Sequence, residues 1–192
     1  MQKEVLNQAM AMFDSPEKWN SFLELFSSKD EIRNQWFLKL KVALTKFYCD
    51  ENVIKGWSFA TWNFADFRWY LTEFGRESFC ICMSWNRIGL WVNSNLFDSQ
   101  RITDLLSTDK FSIIMSTLRP DEVFSGDWKL IEYGNLHFNS PFDLQFETDR
   151  LCWFAGNNTD EFVQQLVEKI DRIRKDETLT SLLIELNKLA KK

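Results

Sequence analysis

From residue 66 to residue 93 the chain reads DFRWYLTEFGRESFCICMSWNRIGLWVN. Three runs of alternating apolar positions are separated there by polar breaks at Gly75-Arg76-Glu77 and Asn86-Arg87. In a strand, side chains i, i+2 and i+4 share one face. Phe67, Trp69 and Leu71 therefore oppose Arg68, Tyr70 and Thr72 in the first run. In the second, Phe79, Ile81, Met83 and Trp85 oppose Cys80, Cys82 and Ser84, and in the third Ile88, Leu90 and Val92 oppose Gly89, Trp91 and Asn93. The breaks are short enough for hairpins, so the pattern predicts a three-stranded antiparallel meander. The heavy face should meet helices; the small face leaves room for close approach of another element and should be covered too, because Trp91 and Tyr70 would flank it.

Before the meander the period changes to that of helices. Val5, Leu6, Ala9, Met10 and Phe13 predict a helix over 2–13. Ser15-Pro16-Glu17 is a serine cap followed by proline in the first turn, and Trp19, Phe22, Leu23 and Phe26 give the second helix one apolar face. Asp30 or Ser28 caps a third helix over about 30–48, with a stripe of Ile32, Trp36, Leu40, Leu44 and Phe47, and Phe37 and Tyr48 at its margin. WSFATWNF at 57–64 fits either a further strand or an irregular edge.

After the meander, Asp98 or Ser99 can cap a short helix with Ile102, Leu105 and Leu106 inward. Phe111, Ile114, Met115 and Leu118 suit a second one, although 111–117 is also compatible with a strand. Alternation predicts a strand at 127–133, ended by Gly134, then a short one at 136–138 and a last one at 150–155 (RLCWFA). Residues 156–159 read as turn and cap. Helices follow at 160–175, lined by Phe162, Leu166, Ile170 and Ile173, and at 178–190, lined by Leu179, Leu182, Leu183, Leu186 and Leu189. The fold class expected is α+β, an antiparallel sheet of about four to six strands flanked by N- and C-terminal helices. One domain spans 1–192, helical over 1–49, mainly sheet with inserted helices over 57–155, and helical again over 159–190.

Composition agrees with a folded chain: of 192 residues, 45% are apolar and 16% aromatic, with 18 Phe and 9 Trp. The net charge of −5 and the lack of a basic stripe argue against general affinity for duplex nucleic acid. No apolar run reaches the length of a membrane span, and the N-terminus lacks the uninterrupted apolar core of a signal peptide. Cys49, Cys80, Cys82 and Cys152 form no CxxC and no disulfide framework, and read as reduced core thiols of a cytoplasmic protein.

Candidate chemistry is sparse. With one histidine, His137, any site needing two is excluded. No phosphate-cradling glycine loop occurs, and no cofactor is implied. PDEVFSGDWK at 120–129 places Asp127 and Lys129 on one face of a predicted strand, with Asp121 and Glu122 upstream. A carboxylate beside a lysine can hold a divalent metal and stabilise a scissile phosphate. The order helix, three-strand meander, helix, strand over residues 30–133 resembles the αβββαβ order of the PD-(D/E)XK nuclease superfamily. That resemblance implies a metal-dependent or degenerate nuclease-like protein using Asp121, Asp127 and Lys129. The family carries its acidic and lysine residues on adjoining strands of the meander, whereas here the triplet follows the meander.

The other expectation is a non-catalytic interaction or regulatory protein. Five tryptophans fall between residues 57 and 91, interleaved with Arg68, Arg76 and Arg87. Tryptophan and arginine are enriched where partners bind most tightly, and arginine stacks on aromatic rings. The residues expected to form the binding surface for a protein or peptide partner are Trp62, Arg68, Tyr70, Arg87 and Trp91.

Overall fold

Four consecutive strands, β1 (Trp57–Thr61), β2 (Asp66–Leu71), β3 (Cys80–Ser84) and β4 (Arg87–Trp91), form an antiparallel meander. A fifth, β5 (Leu130–Asn135), pairs antiparallel with β4, giving the order β1-β2-β3-β4-β5. The architecture is that of a computed structural model describing residues 2–62, 66–84, 87–93, 95–118, 130–135 and 148–192. Residues 57–61 are thus a strand and not an irregular edge. β5 runs through Gly134, which the sequence pattern took as a break. The proposed strand at 136–138 and the start of that at 127–133 lie outside the described residues.

Register fixes the two faces. Phe59 lies opposite Trp69, Trp69 opposite Ile81, and Ile81 opposite Leu90. Because all four share one face, every strand of the meander contributes a large apolar side chain to the same side. The adjoining row, Ala60, Arg68, Cys82 and Gly89, points the other way and is small except for the arginine.

The heavy face is covered by helices from both ends of the chain. On the N-terminal side the cover is α3 (Lys29–Lys46), which runs into a π-helical turn at Phe47–Glu51; α1 (Gln2–Met12) and α2 (Pro16–Ser27) precede it as an arm outside the core. Between β4 and β5 come α4 (Ser99–Leu106) and α5 (Asp109–Leu118), so 111–117 is helix. The chain ends in α6 (Thr148–Asn157), α7 (Thr159–Arg174) and α8 (Glu177–Ala190). Phe37 of α3 stacks over Phe67 at 6.4 Å between ring centroids, and Tyr48 meets Trp69 edge-on at 5.5 Å. One apolar core joins the sheet to α3 and to α4–α8. Each large side chain fully buried there contributes about 1.5–3 kcal/mol.

Three expectations are corrected. Residues 150–155 are helical, within α6. Leu151, Cys152, Phe154 and Ala155 are all buried, the i, i+1, i+3, i+4 spacing of a helix face, whereas a strand would have buried alternate residues. The helix continues through Gly156, which was read as a turn. A side chain there would collide with Trp36, its Cβ lying within 2.6 Å of the Trp36 Cβ, so glycine permits the close approach of α6 to α3. In α3 the fully buried residues are Phe37, Leu40 and Leu44, with Tyr48 following, while Trp36 and Phe47 are half-buried. The buried stripe is therefore turned toward what was expected to be its margin.

Helix starts follow side-chain chemistry. Ser15 Oγ accepts from the Lys18 N–H at 3.3 Å with Pro16 opening α2, Asp98 accepts from the Arg101 N–H at 3.0 Å, and Asp176 accepts from the Leu179 N–H at 2.9 Å. Ser28 occupies the cap position of α3 without a side-chain bond. In contrast to the core helices, α2 has no buried residue, and the apolar side chains of α1 and α2 stand exposed.

Candidate functional site

On the face of the sheet away from the main core lies a small separate cluster: Cys80, Cys82 and Trp91, with Tyr70 packed against it. Alternation places Arg68 among them, directly opposite Cys82 in the ladder. Its guanidinium carbon is 3.7 Å from the ring centroid of Trp91 and 4.1 Å from that of Trp62, and the two indoles are 6.5 Å apart. The cation thus sits in a notch between two aromatic faces, where ring quadrupoles attract it.

Asp66 completes the cluster. Arg68 Nη2 donates to Asp66 Oδ2 at 3.3 Å, and Cys82 Sγ donates to Asp66 Oδ1 at 3.2 Å. Arg68 is only 4% exposed, yet its Nε and Nη1 have no hydrogen-bond partner among the described residues. Buried donors left unpaired cost about 1–3 kcal/mol each, so stacking and the single carboxylate hold this guanidinium against a real penalty. Trp62 is 46% exposed and forms the outer wall, with the exposed Arg76 5.3 Å from its ring.

The two thiols are not nucleophiles in this setting. Burial pushes Cys80 up to about 12, with Arg68 offsetting part of the effect. Burial raises Cys82 as well, and the adjacent Asp66 raises it further. Both stay protonated at neutral pH. All four cysteines are free, and Cys49 is the exposed one.

The structure brings together Trp62, Arg68, Tyr70 and Trp91, four of the five residues expected at a binding surface. Arg87 has its backbone in β4, opposite Ser84 and Asn135, but its side chain is outside the described set. Asp66 was missed as a partner of Arg68, although its position two residues away on one strand carried the signal. Asp121, Glu122, Asp127, Lys129 and His137 lie outside the described residues, as does Trp85. Among the described residues no three His, Cys, Asp or Glu side chains converge in a way that could hold a metal ion. Nor is any helix among them long and apolar enough to cross a membrane.

A second buried ion pair lies across the core. Arg174 Nη1 donates to Asp171 Oδ1 at 2.9 Å, its Nη2 donates to the Asn52 carbonyl at 3.4 Å, and its guanidinium lies 4.5 Å from the Tyr48 ring. It ties α7 to the segment following the π-helical turn and presents no reactive group. A cavity of about 340 Å³ between α3 and α7 is lined by Phe47, Val163 and Val167 with Glu51, Asp160 and Glu168 at its polar side. Lys46 in its wall is paired with Glu51 at 3.1 Å.

Comparison with known proteins gives no match to a family model, to a curated protein or to a solved structure.

Proposed function

We propose that the chain is a non-catalytic interaction protein that engages a protein or peptide partner through the aromatic and arginine cluster on the second face of its sheet. The observation that carries this reading is Trp62, nearly half exposed, walling in a buried guanidinium two of whose nitrogens, Nε and Nη1, find no partner among the described residues. An exposed indole beside Arg76 offers a partner apolar area and a cation at one point. A partner carboxylate or carbonyl reaching behind Trp62 would satisfy the donors of Arg68, which gives the contact directionality. Tyr70 and Trp91 form the supporting layer.

The test is site-specific photocrosslinking. A photoreactive phenylalanine analogue at position 62, in the cell of origin, should capture a discrete product, and Arg76→Glu or Arg68→Met should abolish it. A pattern indistinguishable from the same probe placed at exposed Thr178 would overturn the reading.

A further inference from the structure

From the N-terminal arm we infer that two copies of this chain associate by pairing α1 and α2 of one with α1 and α2 of the other. In α2, Trp19, Phe22, Leu23 and Phe26 recur at i, i+3, i+4 and i+7, the stripe of a helix that faces a core. Among the described residues no core faces them: α2 has no buried residue, and Phe26 is 66% exposed. α1 repeats the situation, with Leu6 and Met10 exposed on one side. The two helices are not a loose tail. Phe13 packs on Trp19 and Phe22 at 5.4 and 4.8 Å between centroids, and the Ser15 cap sets the elbow between them.

Area and charge choose the occupant. Nine large apolar side chains of α1 and α2 stand 36–67% exposed, whereas the largest apolar patch on an ordinary monomer is about 300–600 Å². A standard stable interface buries about 800 Å² on each partner, which a surface built from two such helices can supply. The stripes hold no charge, so two of them meet without repulsion. An anionic bilayer is disfavoured, because residues 2–27 carry Lys3 and Lys18 against Glu4, Asp14, Glu17 and Glu24, and Lys18 is already paired with Asp14 at 2.6 Å. Amphipathic helices that bind such surfaces carry Lys and Arg along the polar face. A two-fold axis through the arm brings four apolar stripes together, enough for the shared core of a four-helix bundle, and uses one patch on both copies.

The experiment is sedimentation velocity on the full chain without an N-terminal tag, over a range of concentrations, beside the double variant Leu23→Glu, Phe26→Glu. Both positions are exposed in the single chain, so the substitutions leave its fold intact, which far-UV circular dichroism checks. The expected result is a two-chain mass for the natural sequence, halved in the variant at the same concentration. Phe26→Cys chains should also form an interchain disulfide under mild oxidation that Thr178→Cys chains do not. A one-chain mass at every concentration overturns the inference, as does a two-chain mass the double variant leaves unchanged. Flotation with neutral phosphatidylcholine vesicles of a natural chain that stays monomeric would assign the arm to a lipid surface instead.

Discussion

Asn187 of α8, fully buried, closes the start of β3 by accepting the backbone N–H of Phe79 at 3.2 Å through Oδ1. Its Nδ2 donates to the Leu183 carbonyl at 2.9 Å and to the Phe79 carbonyl at 3.4 Å. One amide thereby satisfies both backbone groups of a residue 108 positions away. Asn187→Ala leaves the Phe79 N–H buried and unpaired and its carbonyl with the Ser78 hydroxyl alone, at 3.4 Å, and should destabilise the fold by about 1–3 kcal/mol. Urea unfolding should show a lower midpoint at unchanged slope. A loss below about 0.5 kcal/mol would mean water replaces the amide without penalty.

Arg68→Lys tests the notch between Trp62 and Trp91. A lysine keeps the charge but has no plane to lie against two rings while reaching Asp66. The expected cost is about 1–2 kcal/mol, read as a lower melting temperature. An unchanged melt would show that charge alone matters there.

Gly156→Ala sets two effects against each other. Alanine favours a helix interior by about 1 kcal/mol over glycine. The added methyl overlaps Trp36 at its Cβ and ring, close to the α3 backbone and not at a mobile tip. Overlap wins, and the net loss should be about 1–3 kcal/mol. Combining it with Trp36→Ala should cost less than the sum of the two single changes, by calorimetry of all four chains.

Asp149 predicts an acid limb in the stability profile. Burial alone would raise its carboxyl, but hydrogen bonds from Lys29, at 2.6 Å, and Arg33 outweigh this and hold it below its usual range. A depressed carboxyl stabilises the fold in full above its unfolded value of about 3.9, and the contribution vanishes as pH falls through the lower folded value. Asp149 is 44% exposed, so solvent screens the pair and the contribution is about 0.5–1 kcal/mol. Asp149→Asn should flatten that part of the curve in urea titrations at stepped pH, and an identical acid limb in both chains would refute the assignment.

Thiol labelling separates the cysteines. Cys49 is exposed on the π-helical turn, and slight burial with neighbouring Asp50 raises its thiol only modestly. Cys80 and Cys152 are pushed by burial to about 12, and Cys82 is raised too. Iodoacetamide on the native chain should modify Cys49 alone, faster as pH rises, and all four after unfolding. Fast native labelling of Cys82 would show that the second face opens readily.

The meander was readable because alternation at Phe67, Trp69, Ile81 and Leu90 is a local signal that tertiary packing reinforces. Ser15-Pro16 and Asp98 were readable for the same reason, since capping chemistry lies within one turn. Residues 150–155 were not, because Leu151–Ala155 is apolar throughout and carries both periods at once; only the position of α3, met through Trp36, decides for the helix. The burial of Phe37 and Tyr48 also depends on where Phe67 and Trp69 stand, which no window of α3 contains. At the candidate site, the strand period put Arg68 and Tyr70 on one face with Trp91. The closure by Trp62 was legible only as an aromatic beyond the strand, since its position depends on how the chain turns after Thr61.

The helices that cover the heavy face of the sheet come from opposite ends of the chain, as the bonds from Arg33 to Asp149 and from Trp57 to Thr180 illustrate. Synthesis proceeds from one end only. When β4 has been synthesised, roughly a hundred residues remain to be made before α8 is complete, a delay of about 5–20 s at ordinary translation rates. Through that interval Trp69, Ile81 and Leu90 have α3 beside them but lack α6–α8. Until the C-terminal helices are made, the apolar face of the meander is left partly open, and a chain ended before α8 lacks the side of the core that α8 supplies.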